Sequence, residues 1–183
     1  NTKYFIVSPK EGQSPMAQMN PEHCGSAWFV PEFKIVANAD EESKSLEKFN
    51  PRVTAFIDQR FKDKIGNFKI NYDSVATIQL TKYDANYLVY KSKCATDQLC
   101  VMSEIYYEKG WNAYVDGKLT PHWRCNYVLC SMIVPAGNHT IEFKFEPVIY
   151  KTGETISLAS SSIMLLLFFG ALIIPFFRKQ KSA

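Results

Sequence analysis

Aromatic and polar side chains that together could hold a sugar are concentrated between residues 106 and 146 of this 183-residue chain. Sugars are commonly bound by the apolar face of an aromatic ring and by a nearby carboxylate or amide group. Core packing, or packing at a membrane interface, is the more common role of any one such ring in a β-rich domain. The candidate carbohydrate-binding residues are Trp111, Tyr106, Tyr107, Asp116, Asn126, Tyr127 and Glu146.

The sequence contains no motif that is typical of a catalytic centre or a metal site. It lacks a Gly-x-Ser-x-Gly turn and a His-Glu-x-x-His helix, and its carboxylates mostly fall at predicted turns. No close Cys-x-x-Cys pair occurs, and His23, His122 and His139 are widely separated. We therefore predict no catalytic residue, no metal site and no cofactor in this stretch of sequence.

The five cysteines are an odd number, so at least one thiol stays unpaired. Cys94 and Cys100 flank a short polar stretch between two predicted strands. A hairpin there would bring their Cα atoms within the ~4.4–6.8 Å that a disulfide needs, and this pair is the candidate disulfide. Cys125 and Cys130 would lie ~16 Å apart on one extended strand, so they could pair only if the chain turned between them.

Alternation of apolar and polar residues predicts that these side chains are positioned by β-strands. In the segment from Thr140 to Phe145, the residues Ile141, Phe143 and Phe145 fall on one face and polar residues on the other. Similar patterns predict strands at Lys3–Val7, Ala27–Val30, Phe33–Ala37, Val53–Ile57, Val75–Lys82, Tyr87–Ser92, Leu99–Ile105, Asn112–Val115, Lys118–Trp123 and Val128–Val134.

A single short helix is predicted from Asp40 to Phe49. Asp40 would be its N-cap, Leu46 and Phe49 would form its buried stripe, and Asn50-Pro51 would end it. Residues 11–25 contain two prolines and several polar side chains, which predicts a long loop.

Turn residues separate the predicted strands and indicate how they pair. Asp116-Gly117 is typical of a two-residue hairpin turn, which needs positive φ at both central positions. A second reversal is expected at Pro135-Ala136-Gly137-Asn138. Short strands with turns at this spacing predict a mainly β fold, an antiparallel β-sandwich or jelly-roll-like domain with one short helix.

The C-terminal region predicts a transmembrane helix. Residues 156–177 contain no charge and would span ~33 Å as a helix, against a hydrocarbon core of ~30 Å. Arg178, Lys179 and Lys181 follow this segment, and basic residues are retained on the cytoplasmic side. We therefore expect a body at 1–152 outside the cytoplasm with a sub-boundary near 72, a membrane span at 153–177 and a cytoplasmic tail at 178–183.

The charge balance argues against nucleic acid as a partner. The chain has 21 basic and 18 acidic residues, and three of the basic residues lie in the last six positions. The body is therefore neutral overall, whereas a nucleic-acid-binding domain normally has a surplus of positive charge. The chain opens with Asn1-Thr2-Lys3 and shows no signal peptide, so we expect an upstream part of the polypeptide to export the body.

Five segments of the chain form a distinctive combination, and they are NTKYFI at 1–6, GSAWFV at 25–30, SEIYYEKGWNAYVDGK at 103–118, CNYVL at 125–129 and VPAGNHTIEFKFEP at 134–147. The last three, with the apolar segment that follows them, resemble the C-terminal end of YfhO-like bacterial membrane proteins. The segments at 1–6 and 25–30 are similar to Bacteroidetes-type members of the same family. The resemblance covers most of the chain, and Cys130 stands where the family more often has Arg.

The resemblance implies a polytopic protein of the bacterial inner membrane that is related to GT-C glycosyltransferases. Such enzymes take sugars from polyprenyl-phosphate carriers, and their catalytic carboxylate lies in an early loop that would precede this chain. The present chain would then be a non-catalytic extracytoplasmic domain with the last membrane helix. Its expected partners are membrane lipid, the upstream transmembrane core, and a lipid-linked sugar or envelope glycan. The alternative is a membrane-anchored binding or scaffold module that contacts envelope polysaccharide or a protein.

Overall fold

The computed structural model describes residues 1–7 and 14–180 and divides the chain into two compact units, Asn1–Phe145 and Glu146–Ala183. The strands are β1 (Tyr4–Val7), β2 (Met16–Met19), β3 (Ala27–Val30), β4 (Glu32–Val36), β5 (Thr54–Asp58), β6 (Thr77–Asp84), β7 (Tyr87–Cys94), β8 (Gln98–Ile105), β9 (Trp111–Val115), β10 (Lys118–Thr120), β11 (Trp123–Cys125), β12 (Leu129–Val134) and β13 (Gly137–Phe145). The helices are α1 (Ala39–Ser45), α2 (Lys62–Ile65) and α3 (Val148–Gln180), and 3-10 turns cover Leu46–Lys48 and Gln59–Phe61.

Two antiparallel sheets form a β-sandwich. One sheet has five strands in the order β10-β9-β13-β7-β6, and the other has four in the order β11-β12-β8-β3. Alternate residues of both sheets point inward, as the period of two predicts, and they form the main core. Tyr90, Ile141 and Phe143 come from the larger sheet, and Met102 and Met132 from the smaller one. The predicted fold class, mainly β and sandwich-like, is confirmed.

A second core lies on the opposite face of the four-stranded sheet. Trp28, Leu99 and Trp123 of that sheet pack there with Ile57 of β5 and with Phe61. The four-stranded sheet is thus covered on both faces. Its strand β8 has five consecutive buried residues, Gln98–Met102, which is typical of a strand between two layers.

Three of the predicted elements need correction. Strand β2 lies within residues 11–25, which were expected to form a loop, because it pairs with β1. Strands β4 and β5 pair in parallel, with α1 in the connection between them, so the fold is not wholly antiparallel. The single strand predicted at Lys118–Trp123 is two strands, β10 and β11, which belong to different sheets.

Helix α1 begins one residue earlier than expected because Asn38, not Asp40, is its N-cap. The Asn38 side chain accepts a hydrogen bond of 3.0 Å from the Glu41 amide, which satisfies one free N–H of the first turn. The fully buried residue of the helix is Glu42, whereas Leu46 and Phe49 are only half-buried. The sequence pattern placed an apolar stripe where the structure has a buried carboxylate.

Cys94 and Cys100 are both free and buried, so the predicted disulfide between them is not formed. The expected hairpin does not form, since β7 and β8 belong to different sheets and the chain between them crosses the sandwich. A turn does occur between Cys125 and Cys130, yet the two side chains lie in different cores and are also free.

Two tight turns set the positions of the hairpins. Asp116 and Gly117 have φ values of 49° and 79°, so the predicted turn between β9 and β10 is confirmed. Positive φ at both central residues is what this two-residue hairpin loop needs. Asn126 and Tyr127 also have positive φ values, 47° and 70°, and with Val128 they form the three-residue loop that joins β11 to β12.

Helix α3 is long and apolar enough to cross a membrane. Its candidate span is Val148–Ala171, in which no residue of the most apolar window is buried within the protein. The helix begins at Val148, five residues before the predicted start of the span at residue 153.

Candidate functional site

A cleft of about 300 Å³ opens at one end of the sandwich, between the two sheets. The chain leaves the four-stranded sheet at the end of β8, crosses the opening through residues 106–110 and enters the five-stranded sheet as β9. The 106–111 segment therefore lies along the rim of the cleft. The lining residues are Leu88, Met102, Glu104, Ile105, Tyr106, Tyr107, Trp111, His122, Cys130 and Phe143.

One wall of the cleft is a group of aromatic rings. Phe145 packs beside Trp111, with ring centroids 5.4 Å apart, and beside Tyr107 at 6.4 Å. Gly110 makes this packing fit, since an added Cβ would lie only 2.5 Å from the Phe145 ring. Tyr107 is 53% exposed and Trp111 is half-buried, so both rings keep a surface for a ligand.

The inner end of the cleft is formed by His122 and its aromatic neighbours. The imidazole contacts Tyr106 and Phe143 edge-on, each with a centroid separation of 5.6 Å. Burial lowers the pKa of His122 to about 4, so the ring is neutral at pH 7. Its Nε2 atom is buried and has no hydrogen-bond partner among the described residues.

Glu104 supplies the one carboxylate among the lining residues. Its side chain is half-buried, and burial raises the pKa of this carboxyl above its usual value. The part of the chain that the structure describes offers it no hydrogen-bond donor or cation. A polar group held in an apolar cleft without a partner is costly unless a ligand or water completes its hydrogen bonds.

This arrangement is suited to binding a hydroxyl-rich ring. Trp111 and Tyr107 offer flat apolar surface, and Glu104 and His122 offer hydrogen-bonding atoms that are otherwise unused. Among the described residues that line the cleft, Glu104 supplies one carboxyl group, whereas hydrolysis of a glycosidic bond ordinarily uses a pair.

The structure brings together three of the seven predicted carbohydrate-binding residues, Tyr106, Tyr107 and Trp111. Asp116 lies instead at the tip of the β9–β10 hairpin, where it binds His139. Glu146 belongs to the other compact unit.

Asn126 and Tyr127 have structural roles at the β11–β12 turn. Asn126 exchanges two hydrogen bonds of 2.8 Å with the backbone of Phe56, which attaches β5 to this turn. The guanidinium group of Arg124 stacks over Tyr127, 5.5 Å from the ring centroid. Neither residue lines the cleft.

Glu104 and His122 were not among the residues predicted from the sequence to bind a ligand. Glu104 could have been found from the period of two, because it falls on the same face of β8 as Cys100 and Met102. No comparable pattern marks His122, which lies in the connection between β10 and β11.

Comparison with known proteins gives one family. The family model described as bacterial membrane protein YfhO matches residues 39–157, which is more than half of the chain. No curated protein and no solved structure matches the chain. The matched range includes α1, the strands β5 to β13 and the start of α3.

Proposed function

Because the chain belongs to the YfhO family of bacterial membrane proteins, we propose that it is the non-catalytic, sugar-binding part of a GT-C-type membrane glycosyltransferase. The observation that supports this most directly is the cleft, in which Trp111 and Tyr107 stand beside the unpartnered carboxylate of Glu104. In this proposal a lipid-linked sugar is the donor, and the acceptor is a glycan of the cell envelope.

The cleft would act by holding one ring of the acceptor. A sugar ring would stack on Trp111, and its hydroxyl groups would donate to the Glu104 carboxylate and to Nε2 of His122. Positioning of this kind favours transfer by reducing the entropy that two reactants lose when they meet. The catalytic groups would come from the membrane-embedded part of the enzyme.

The proposed location is the bacterial inner membrane, with the body on the extracytoplasmic side and the C-terminus in the cytoplasm. Helix α3 is compatible with a membrane span, and the cations at 178–181 favour a cytoplasmic end. An extracytoplasmic body would face the envelope glycans that the cleft is proposed to bind.

The proposal is tested with Trp111→Ala and Glu104→Gln in the complete membrane protein, with polyprenyl-phosphate sugar and envelope glycan as substrates. Each variant should raise the KM for the glycan about tenfold, the effect of losing one aromatic or charged contact, while kcat changes little. Tyr83→Ala and Glu108→Gln are matched controls, because both side chains are exposed and neither lines the cleft.

Deletion of residues 1–145 gives the second measurement. Loss of sugar transfer with normal membrane insertion supports the proposal. Transfer that survives the deletion, together with loss of a protein or polysaccharide complex, would identify a scaffold module and refute the transferase role.

A further inference from the structure

The outer face of the five-stranded sheet has a second polar surface, away from the core. Residues 87, 89, 91 and 93 of β7 point outward because Leu88, Tyr90 and Cys94 point into the sandwich. The register places Lys91 between Gln79 and Thr140, and Lys93 between Thr77 and Asn138. We call these six side chains, Thr77, Gln79, Lys91, Lys93, Asn138 and Thr140, the basic groove.

The basic groove has unused hydrogen-bonding capacity. It is a shallow depression that the six side chains line together with Ser92 and His139. Within the described residues, none of the six side chains makes a hydrogen bond or an ion pair. The Cα atoms of Lys91 and Lys93 lie about 7 Å apart on one strand, and the described residues that line the groove include no carboxylate.

The excess of positive charge in the basic groove favours the binding of an anion. The two ammonium groups carry like charges on one side of the strand and repel each other, and an anion between them would replace that repulsion with attraction. The remainder of the body has no overall surplus of positive charge, so the groove is a local concentration of it. Asp116 contacts the Thr140 amide at its border but is already bonded to His139.

Aromatic rings lie on the same outer face, further along the strands from the basic groove. Tyr87 lies on β7 about 13 Å from Lys91, and its hydroxyl donates to Glu142. The ammonium of Lys144 lies 5.7 Å from the Tyr87 ring centroid and 5.0 Å from that of Tyr114. The face therefore offers cations, amides, hydroxyls and ring surfaces along one direction.

From this combination we propose that the outer sheet face binds an acidic polysaccharide, with its negatively charged groups in the basic groove and a sugar ring near Tyr87. A polysaccharide matches every feature of the face. Its hydroxyls pair with Gln79 and Asn138, its acidic groups pair with Lys91 and Lys93, and its rings stack on aromatic side chains. This surface is separate from the cleft and does not depend on the transferase role.

The test uses the complete chain in nanodiscs of zwitterionic lipid, with polygalacturonate as the probe and its neutral methyl ester as the matched polymer. The acidic polymer should bind, the ester should not, and added salt should weaken binding. Lys91→Gln/Lys93→Gln should weaken binding at least about tenfold. Lys48→Gln/Lys62→Gln removes the same charge from exposed positions outside the groove and should change it less than about twofold.

Four results would overturn the inference. The first is that polygalacturonate does not bind, and the second is that the two double variants lose polygalacturonate binding equally. The third is that Trp111→Ala loses polygalacturonate binding. The fourth is that a short-chain anionic phospholipid binds in a manner that depends on Lys91 and Lys93, whereas the polymer does not bind. Because Trp111 lies in the cleft, retained polymer binding in Trp111→Ala separates this surface from the proposed acceptor site. Circular dichroism of all variants confirms that each is folded.

Discussion

At the scale of single residues, the most consequential side chain outside the cleft is Arg124. Its Nη2 atom lies 2.6 Å from Glu42 Oε2 and 3.5 Å from Asp58 Oδ2. Glu42 is completely buried, and Arg124 is 16% exposed. These contacts join α1, β5 and β11, so one buried ion cluster attaches α1 and β5 to the four-stranded sheet.

We expect Arg124→Met to lower the free energy of unfolding by about 3–5 kcal/mol, because the buried Glu42 carboxylate would lose its counter-ion. Unfolding by guanidinium is followed through tryptophan fluorescence, since Trp28, Trp111 and Trp123 all lie in the first compact unit.

Arg60→Met is the control for Arg124→Met. Arg60 pairs with the same Asp58, Nε to Oδ2 at 3.5 Å, but its side chain is 55% exposed. Its loss should cost less than about 1 kcal/mol. The double variant Glu42→Leu/Arg124→Met should recover part of the stability that Arg124→Met loses, and a further loss would contradict the assigned role.

At the scale of elements, a histidine bridges two turns. Nδ1 of His139 lies 2.6 Å from Asp116 at the tip of the β9–β10 hairpin, and Nε2 lies 3.0 Å from the Ala136 carbonyl before β13. Both ring nitrogens donate only when the imidazole is protonated. The hydrogen bond that His139 donates to Asp116 raises the pKa of His139 and lowers the pKa of Asp116.

This bridge predicts a pH dependence of stability. The His139 contribution is fully present below the ordinary pKa of about 6.5 and is lost as pH rises through the raised pKa. The Asp116 contribution is present above about 3.8 and is lost as pH falls through the lowered pKa. The stability advantage of the native chain over His139→Gln should therefore decline from pH 6 to pH 9.

Denaturation curves across this pH range measure that difference. His23→Gln, which changes a histidine in the loop after β2, should leave the pH dependence unchanged. A difference between the native chain and His139→Gln that stays constant from pH 6 to pH 9 would show that the bridge is not charged.

The β9–β10 turn gives a separate prediction. Gly117 has a φ of 79°, which a residue with a Cβ adopts at a cost of about 1 kcal/mol, so Gly117→Ala should lower stability by that amount. Gly117→Asn should cost less, because Asn tolerates positive φ. The free energy of unfolding measures both, and equal losses would argue against a conformational cause.

At the scale of the whole molecule, the five cysteines report on the location of the body. Cys94, Cys100, Cys125 and Cys130 are buried, whereas Cys24 is partly exposed. An impermeant maleimide added to intact spheroplasts should therefore label the native protein at Cys24 if the body is extracytoplasmic. Cys24→Ser should remove this labelling.

The same experiment can refute the proposed sidedness. Labelling of Cys24 only after the membrane is permeabilised would place the body in the cytoplasm. The proposed contact with envelope glycans would then fail as well.

The strand pattern could be predicted well because it depends on local order. Side chains alternate across a strand whatever its partner, so the run from Ile141 to Phe145 already showed its inner face. The hairpin at Asp116-Gly117 was equally local, since its φ values depend on two residues. The apolar length of α3 indicated a span in the same manner.

Pairing between distant segments was decided only by the tertiary structure. Sequence neighbours β7 and β8 separate into different sheets, which removes the expected Cys94–Cys100 bridge. The cation Arg124 and the carboxylate Glu42 are 82 positions apart, and nothing in local periodicity indicates that they meet. Long-range packing set these contacts because the gain in free energy from burial depends on which surfaces face each other.

The candidate site shows the same division. Tyr106, Tyr107 and Trp111 were found from the sequence because they are neighbours on one short segment. His122 and Glu104 lie beside them only because the two sheets pack around a common cleft. Asp116 and Asn126 lie outside that cleft. Composition and periodicity thus determined the β-rich body and the apolar helix, and three-dimensional packing determined which polar groups share a cleft.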